Sequence, residues 1–175
     1  MMAHACISIT PEMILRGRRG LLSLAFFFVA IAQACYPGPP EKYVAFFSLP
    51  AKQRPVALRK FSIPDQIEIY LYATTHIIEA QGGLEYALAA NGRAAIPDLL
   101  SRLRKTSDAR EIERLFEVFH IMACEYPELQ GDEVLVRQLH AIADSVRDDR
   151  RRRLAEWSIA AVEGRRSCSS GAVAP

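Results

Sequence analysis

The chain has 175 residues, half of them apolar, and a formal net charge of +2 at pH 7. This length predicts a single domain with one hydrophobic core. Three arginines and one glutamate lie before residue 35, so the rest of the chain carries 19 basic and 19 acidic residues. A neutral domain has no overall field that attracts nucleic acid, and we expect no nucleic-acid partner.

Residues 1–34 are predicted to be a secretory signal peptide. Arginines at residues 16–19 precede the apolar run 21–34, which ends in small residues. This order is typical of export signals, and the run is shorter than the roughly 20 residues of a membrane span. Met13 as the true start would give a signal of ordinary length. A transmembrane anchor is the alternative interpretation.

Cys35 directly follows Ala34 at the end of the apolar run. This position resembles the lipobox of bacterial lipoproteins, in which the cysteine thiol is acylated and becomes the mature N-terminus. The resemblance implies a membrane anchor at Cys35, on the periplasmic side of a bacterial membrane. Ala32 and Ala34 also suit an ordinary signal peptidase, so soluble export to the periplasm or the medium stays open.

Residues 35–61 are predicted to be a proline-rich tether that includes a packing segment. Six of the ten prolines lie in residues 36–64, a composition that favours an extended and semi-stiff chain. The apolar stretch 43–49 is expected to pack onto the domain, and it is the one segment with some strand character. Residues 50–61 predict a short helix, although Pro55 falls near its middle.

The remainder, residues 62–164, is predicted to be an all-α domain of five or six helices in antiparallel pairs. Its clearest part is a helical hairpin at residues 83–106. Asn91-Gly92 tolerates the left-handed backbone that ends a helix, and Pro97 fits the first turn of the next one. A single hairpin cannot bury its own apolar faces, so neighbouring helices are required.

Polar residues mark the other helix starts. Starts are predicted at Ser62, which forms a capping-box pattern with Asp65, at Ser107 or Asp108, at Asp132, and after a turn near residues 147–149. Apolar residues then recur at helical spacing. The residues expected to face inward are Ile67, Tyr70, Leu71, Thr74, Ile77, Ile78, Ile96, Leu99, Leu100, Leu103, Ile112, Leu115, Phe116, Phe119, Met122, Ala123, Leu135, Leu139, Ile142, Ala143, Val146, Leu154, Trp157, Ala161 and Val162.

Residues 165–175 are small, polar and aperiodic, and they are predicted to be a disordered tail. Cys124 and Cys168 are the cysteines that remain after Cys35. An oxidising compartment would allow them to pair. The alternative is that Cys124 is a buried, inert thiol, because Cys168 falls in the predicted tail.

Two stretches resemble parts of HEAT-type helical repeats. Residues 94–103 resemble a leucine-rich inner helix opened by proline, and residues 148–155 resemble the acidic turn and arginine-bearing outer helix of another unit. Residues 108–126 and 132–147 would form the unit between them. The resemblance covers residues 65–164, and it implies an irregular stack of helix pairs that binds other proteins, without catalytic residues or a cofactor. The whole layout is also similar to that of small exported bacterial proteins.

Histidines near acidic or thiol side chains supply the candidate metal or catalytic residues. The candidates are Glu117, His120 and Cys124 on one helix face, His140 with Asp144, and His76 with Glu79. The first two residues form one copy of the Glu-x-x-His element that di-iron bundles use twice. Two pairs that face each other would make a metal or acid–base site. The simpler interpretation is a set of solvated surface pairs.

The sequence as a whole predicts an exported, lipid-anchored, non-enzymatic helical module that binds a protein partner in the cell envelope. One alternative is a metal-binding or hydrolytic enzyme that uses His76, His120 and His140 with nearby carboxylates. Another is a structural subunit that is stable only inside a larger assembly.

Overall fold

The computed structural model describes residues 38–76, 83–166 and 168. Several predictions fall outside these residues. They concern the signal peptide with its start at Met13, lipidation of Cys35, and the side chains of Ile77, Ile78 and Glu79. None of the helices in residues 38–76 and 83–166 is both long and apolar enough to cross a membrane.

The described part of the chain contains eight α-helices and no β-strand. The helices are α1 (Val44–Phe47), α2 (Arg54–Leu58), α3 (Ile63–His76), α4 (Leu84–Ala89), α5 (Ile96–Lys105), α6 (Ala109–Glu125), α7 (Glu133–Ala143) and α8 (Asp149–Val162). Short 3₁₀ turns occupy Glu41–Tyr43, Ala51–Gln53, Gly92–Ala95 and Pro127–Leu129. The all-α prediction is confirmed. The helix count exceeds the expected five or six because the segment before residue 62 contributes two short helices.

The segment 41–58 is helical and packs into the core. Tyr43 is 1% exposed and Leu58 is fully buried, which confirms that the apolar stretch packs onto the domain. The strand character assigned to residues 43–49 was wrong, since α1 and a 3₁₀ turn form there. Pro55 lies at the start of α2 rather than inside it. Its missing N–H therefore costs no helical hydrogen bond.

The predicted capping residues begin the helices as expected. The Ser62 hydroxyl accepts the backbone N–H of Asp65 at 3.4 Å and donates to its carboxylate at 2.6 Å. The side chains of Asp108 and Asp132 each accept two backbone N–H groups in the first turns of α6 and α7. Gly92 has a φ of +54°, the left-handed conformation that ends the first helix of the hairpin.

The core forms around α6, which packs against α3, α4, α5 and α8. Long apolar side chains at helical spacing fill it, as the sequence predicted. The predicted inward residues that are less than 5% exposed include Leu99, Leu100, Leu103, Leu115, Phe116, Phe119, Met122, Leu135 and Leu139. Each such side chain stabilises the fold by roughly 1.5–3 kcal/mol when fully buried. The core therefore holds these helices together.

The inward face of α8 differs from the prediction. Leu154 and Trp157 were expected in the core, but both are only half-buried. Ala161 and Val162 are buried as predicted, and the other buried residues of α8 are Ala155, Ser158 and Ile159. Small side chains let α8 approach α6 closely, and a pattern search that favours large apolar residues misses such a face. The displaced Leu154 and Trp157 line a surface cleft.

Candidate functional site: a cleft between α4, α6 and α8

The three candidate histidines lie in different surroundings. His76 is exposed at the end of α3. His140 Nε2 lies 3.1 Å from the carboxylate of Glu163, beyond the end of α8. The predicted partner of His140, Asp144, is exposed after the end of α7. His120 lies on α6 beside α8. Each histidine thus contacts a separate group of residues.

Two members of the predicted set of Glu117, His120 and Cys124 contact each other, since Cys124 Sγ lies 3.8 Å from His120 Nε2. Cys124 also forms a disulfide with Cys168, so it has no free thiol. The Glu117 carboxylate accepts a hydrogen bond from Arg114 at 2.9 Å. Within residues 38–76, 83–166 and 168, no three His, Cys, Asp or Glu side chains are grouped so that they could hold a metal ion. The arrangement around His120 is instead one wall of a cleft.

A cleft of about 380 Å³ opens between α4, α6 and α8. Its apolar lining consists of Tyr86, Ile121, Leu154 and Trp157. Tyr86 is 56% exposed, although it is a large aromatic residue. Tyr86 on α4 thus presents aromatic surface to whatever enters the cleft.

The polar lining of the cleft carries more negative than positive charge. It consists of Glu85, Glu113 and Glu117 with Arg114 as the cation, together with His120 and Ser158. Arg114 is already paired with Glu117, at 2.9 Å. Neither Glu85 nor Glu113 has an ion-pair partner among the described residues. Burial raises the pKa of the Glu85 carboxyl, and the nearby charge of Glu117 raises it further.

An aromatic stack closes one side of the cleft. The rings of His120 and Trp157 are stacked with their centroids 4.0 Å apart. The Arg166 guanidinium lies 4.2 Å from the Trp157 ring centroid. His120 Nδ1 and Trp157 Nε1 are buried without a hydrogen-bond partner in the described structure. Burial lowers the pKa of His120, and the positive charge of Arg166 lowers it further, so both favour the neutral imidazole.

The disulfide between Cys124 and Cys168 holds the C-terminal segment against this stack. It joins α6 to the chain after α8 across 44 residues, with a Cα–Cα distance of 5.3 Å. Of the two possibilities that the sequence left open, the pair forms and Cys124 is not an isolated thiol. Arg166 and Cys168 belong to the predicted tail 165–175, yet both contact the domain.

Sequence reasoning identified His120, Glu117 and Cys124 as a group but missed the cleft that they border. Glu85 and Arg166 were not singled out, and Trp157 was assigned to the core. One signal could have indicated the cleft. Glu85 and Tyr86 are adjacent near the start of a predicted helix, at positions that the core does not need.

Comparison with protein-family models, with curated proteins and with solved structures found no match to this chain.

Proposed function

We propose that this protein is an exported, lipid-anchored, non-enzymatic module that binds a protein partner in the cell envelope. Residues 1–34 direct export, Cys35 carries the lipid, and residues 36–40 connect the anchor to the helical domain. The helix pairs form an irregular HEAT-like stack, and the cleft between α4, α6 and α8 receives the partner.

The cleft is the observation that carries this proposal. Tyrosine and tryptophan are enriched at the centres of protein interfaces. Tyr86 is 56% exposed, and it lines an open cleft together with Trp157. The half-buried carboxylate of Glu85 in the same lining has no ion-pair partner among the described residues. A binding role accounts for both.

The disulfide supports the export part of the proposal. Disulfides persist in oxidising compartments outside the cytosol. Cys168, which pairs with Cys124, is exposed, so reductants could reach the bond. The disulfide would therefore be reduced in the cytosol and would persist after export. The metal-enzyme alternative has less support, because Cys124 is held in the disulfide and His140 contacts Glu163.

Affinity capture tests the proposal with four forms of the full-length tagged protein, expressed in its own host and solubilised from membranes. They are the unmodified chain, Cys35→Ala, Tyr86→Ala and Val134→Ala. Tyr86 and Val134 are equally exposed at 56%, but Val134 lies on α7 and is not among the cleft residues. We expect one stoichiometric partner with the unmodified chain and Val134→Ala, and its loss with Tyr86→Ala.

The Cys35→Ala form should leave the membrane fraction and incorporate no fatty acid. Membrane retention of this form would contradict the anchor. Equal partner recovery with Tyr86→Ala would contradict the cleft as the binding surface. A bare protein in all four samples would overturn the binding role.

A further inference from the structure

We propose that the cleft between α4, α6 and α8 binds an arginine side chain in an exposed segment of the partner protein. This inference depends on the proposed function and names the chemistry that the partner presents. The cleft's unpaired carboxylates, its apolar walls and its exposed aromatic ring each correspond to one part of an arginine side chain.

The carboxylates of the cleft favour a positively charged ligand. Glu85 and Glu113 are both half-buried in the cleft lining, and neither has an ion-pair partner among the described residues. The remaining cation of the lining, Arg114, lies 2.9 Å from Glu117. Three carboxylates thus share one cation, and partly desolvated carboxylates that are incompletely neutralised are unfavourable. A positively charged ligand removes this cost, and an anionic or neutral ligand does not.

The aromatic and apolar lining favours arginine over a more compact cation. A planar guanidinium stacks on aromatic rings and can donate to a carboxylate through two N–H groups, whereas an ammonium is a point charge. Tyr86 offers an exposed ring beside Glu85. Ile121 and Leu154 give the methylene stem of the side chain an apolar wall.

The chain itself already places a guanidinium at this site. Arg166 stacks on Trp157, with its Cζ 4.2 Å from the ring centroid. Trp157 is therefore occupied on its side of the cleft, while Tyr86 has no such partner in the described structure. A second arginine, supplied by the partner, would pair with Glu85 and Glu113 and stack on Tyr86. The apolar wall and the open side of the cleft favour a side chain on a polypeptide over a free polyamine.

Tryptophan fluorescence provides a direct test, because Trp157 is the single tryptophan of the chain. The full-length protein, with its disulfide intact, is titrated at low salt with a capped peptide of alanine and glycine that contains one arginine. The matched peptide replaces arginine with citrulline, which has the same shape and no charge. We expect saturable binding of the arginine peptide and at least about tenfold weaker binding of the citrulline peptide.

Variants of the protein locate the binding. The double substitution Glu85→Gln and Glu113→Gln should lower the affinity for the arginine peptide by at least about tenfold. Glu133→Gln is the matched control, because Glu133 is an exposed glutamate on α7 that does not line the cleft. It should change affinity by less than about twofold. Circular dichroism melting curves establish that each variant is folded.

Three results would overturn the inference. These are equal binding of the arginine and citrulline peptides, unchanged affinity in the folded double variant, and competition by spermidine at the same concentration as the peptide, which would indicate a polyamine site. The proposed function fails separately. If Tyr86→Ala loses a captured partner while the arginine peptide does not bind, the partner uses the cleft through other chemistry. If the peptide binds but no partner is captured, the result supports arginine binding by the cleft and contradicts the binding role in the envelope.

Discussion

Two regions of the helical domain differ in how their polar groups are satisfied. Where the N-terminal segment meets α3, the Tyr43 hydroxyl lies 2.6 Å from the Asp65 carboxylate and 2.7 Å from that of Glu68, and its one proton is shared between them. Lys42 lies within 3.0 Å of both carboxylates. At the cleft, Glu85 lacks an ion-pair partner in the described structure, and two ring nitrogens of the His120–Trp157 stack are buried without hydrogen bonds.

This difference separates a structural junction from a candidate binding site. Buried polar groups are normally hydrogen-bonded, so the junction has the arrangement that a stable fold requires. The cleft keeps groups that lower stability, and proteins retain such groups where function needs them. The disulfide beside the cleft joins α6 to the segment after α8 and so crosslinks the region that carries these groups.

The largest expected effect is loss of the disulfide. Cys168→Ser should lower the free energy of unfolding by about 2–4 kcal/mol, because the crosslink restricts the unfolded chain across a separation of 44 residues. Urea unfolding followed by circular dichroism measures this change. Dithiothreitol should lower the stability of the unmodified protein by the same amount and should not affect the variant. Equal stability of the variant and the oxidised protein would show that the crosslink does not stabilise this end.

Removal of the Tyr43 hydroxyl should have the next largest effect. Tyr43→Phe keeps the buried ring, which contacts Phe61 edge-on at 6.1 Å, and removes a donor to two carboxylates. We expect a loss of about 1.5–3 kcal/mol, the range for hydrogen bonds to charged groups. Tyr86→Phe is the same chemical change at the cleft, and it should cost less than about 0.5 kcal/mol. Similar losses at the two sites, measured by urea unfolding, would remove the contrast between the regions.

Acid should weaken the two regions in different pH ranges. Burial lowers the pKa of His120, so the unfolded chain binds a proton more readily, and the stability that neutral His120 allows is lost as pH falls below 6.5. Ser62 and Tyr43 lower the pKa of Asp65, and Tyr43 and Lys42 lower that of Glu68. Their contribution is present above the ordinary values of 3.8 and 4.5, and it is lost as pH falls below them.

His120→Phe separates these two ranges. The phenyl ring can still stack on Trp157, but it does not titrate. Stability measured by urea unfolding should therefore change less between pH 7.5 and 5.5 in this variant than in the unmodified protein, while the loss below about pH 4.5 remains. An unchanged slope between pH 7.5 and 5.5 would mean that His120 is not the group responsible.

The smallest effect is a gain in stability at the cleft. Burial and the charge of Glu117 raise the pKa of Glu85, so ionisation of this group disfavours the folded state as pH rises above its ordinary value of 4.5. Glu85→Gln should therefore raise stability at pH 7 by up to about 1 kcal/mol, and the gain should vanish below that value. Thermal melting at pH 7 and pH 4 measures both. Destabilisation at pH 7 would show that Glu85 has a structural role.

Local signals in the sequence determined the helices and most of the core. The capping residues Ser62, Asp108 and Asp132 and the left-handed Gly92 act within one or two turns of the chain, so their effect can be read from neighbouring residues. Leucine and phenylalanine at helical spacing identify the buried face of α6 for the same reason. The signal peptide and the lipid anchor at Cys35 remain predictions from the sequence.

Only the tertiary structure decided which residues meet across the chain. Glu85 on α4, Glu113 on α6 and Leu154 on α8 form one cleft through helix packing, and no local pattern relates them. The same packing buries the small side chains of α8 and leaves Trp157 half-buried beside the cleft. It also places Cys168 next to Cys124, so that the two form a disulfide. Local geometry depends on the nearest residues along the chain, whereas these contacts depend on how complete helices fit together.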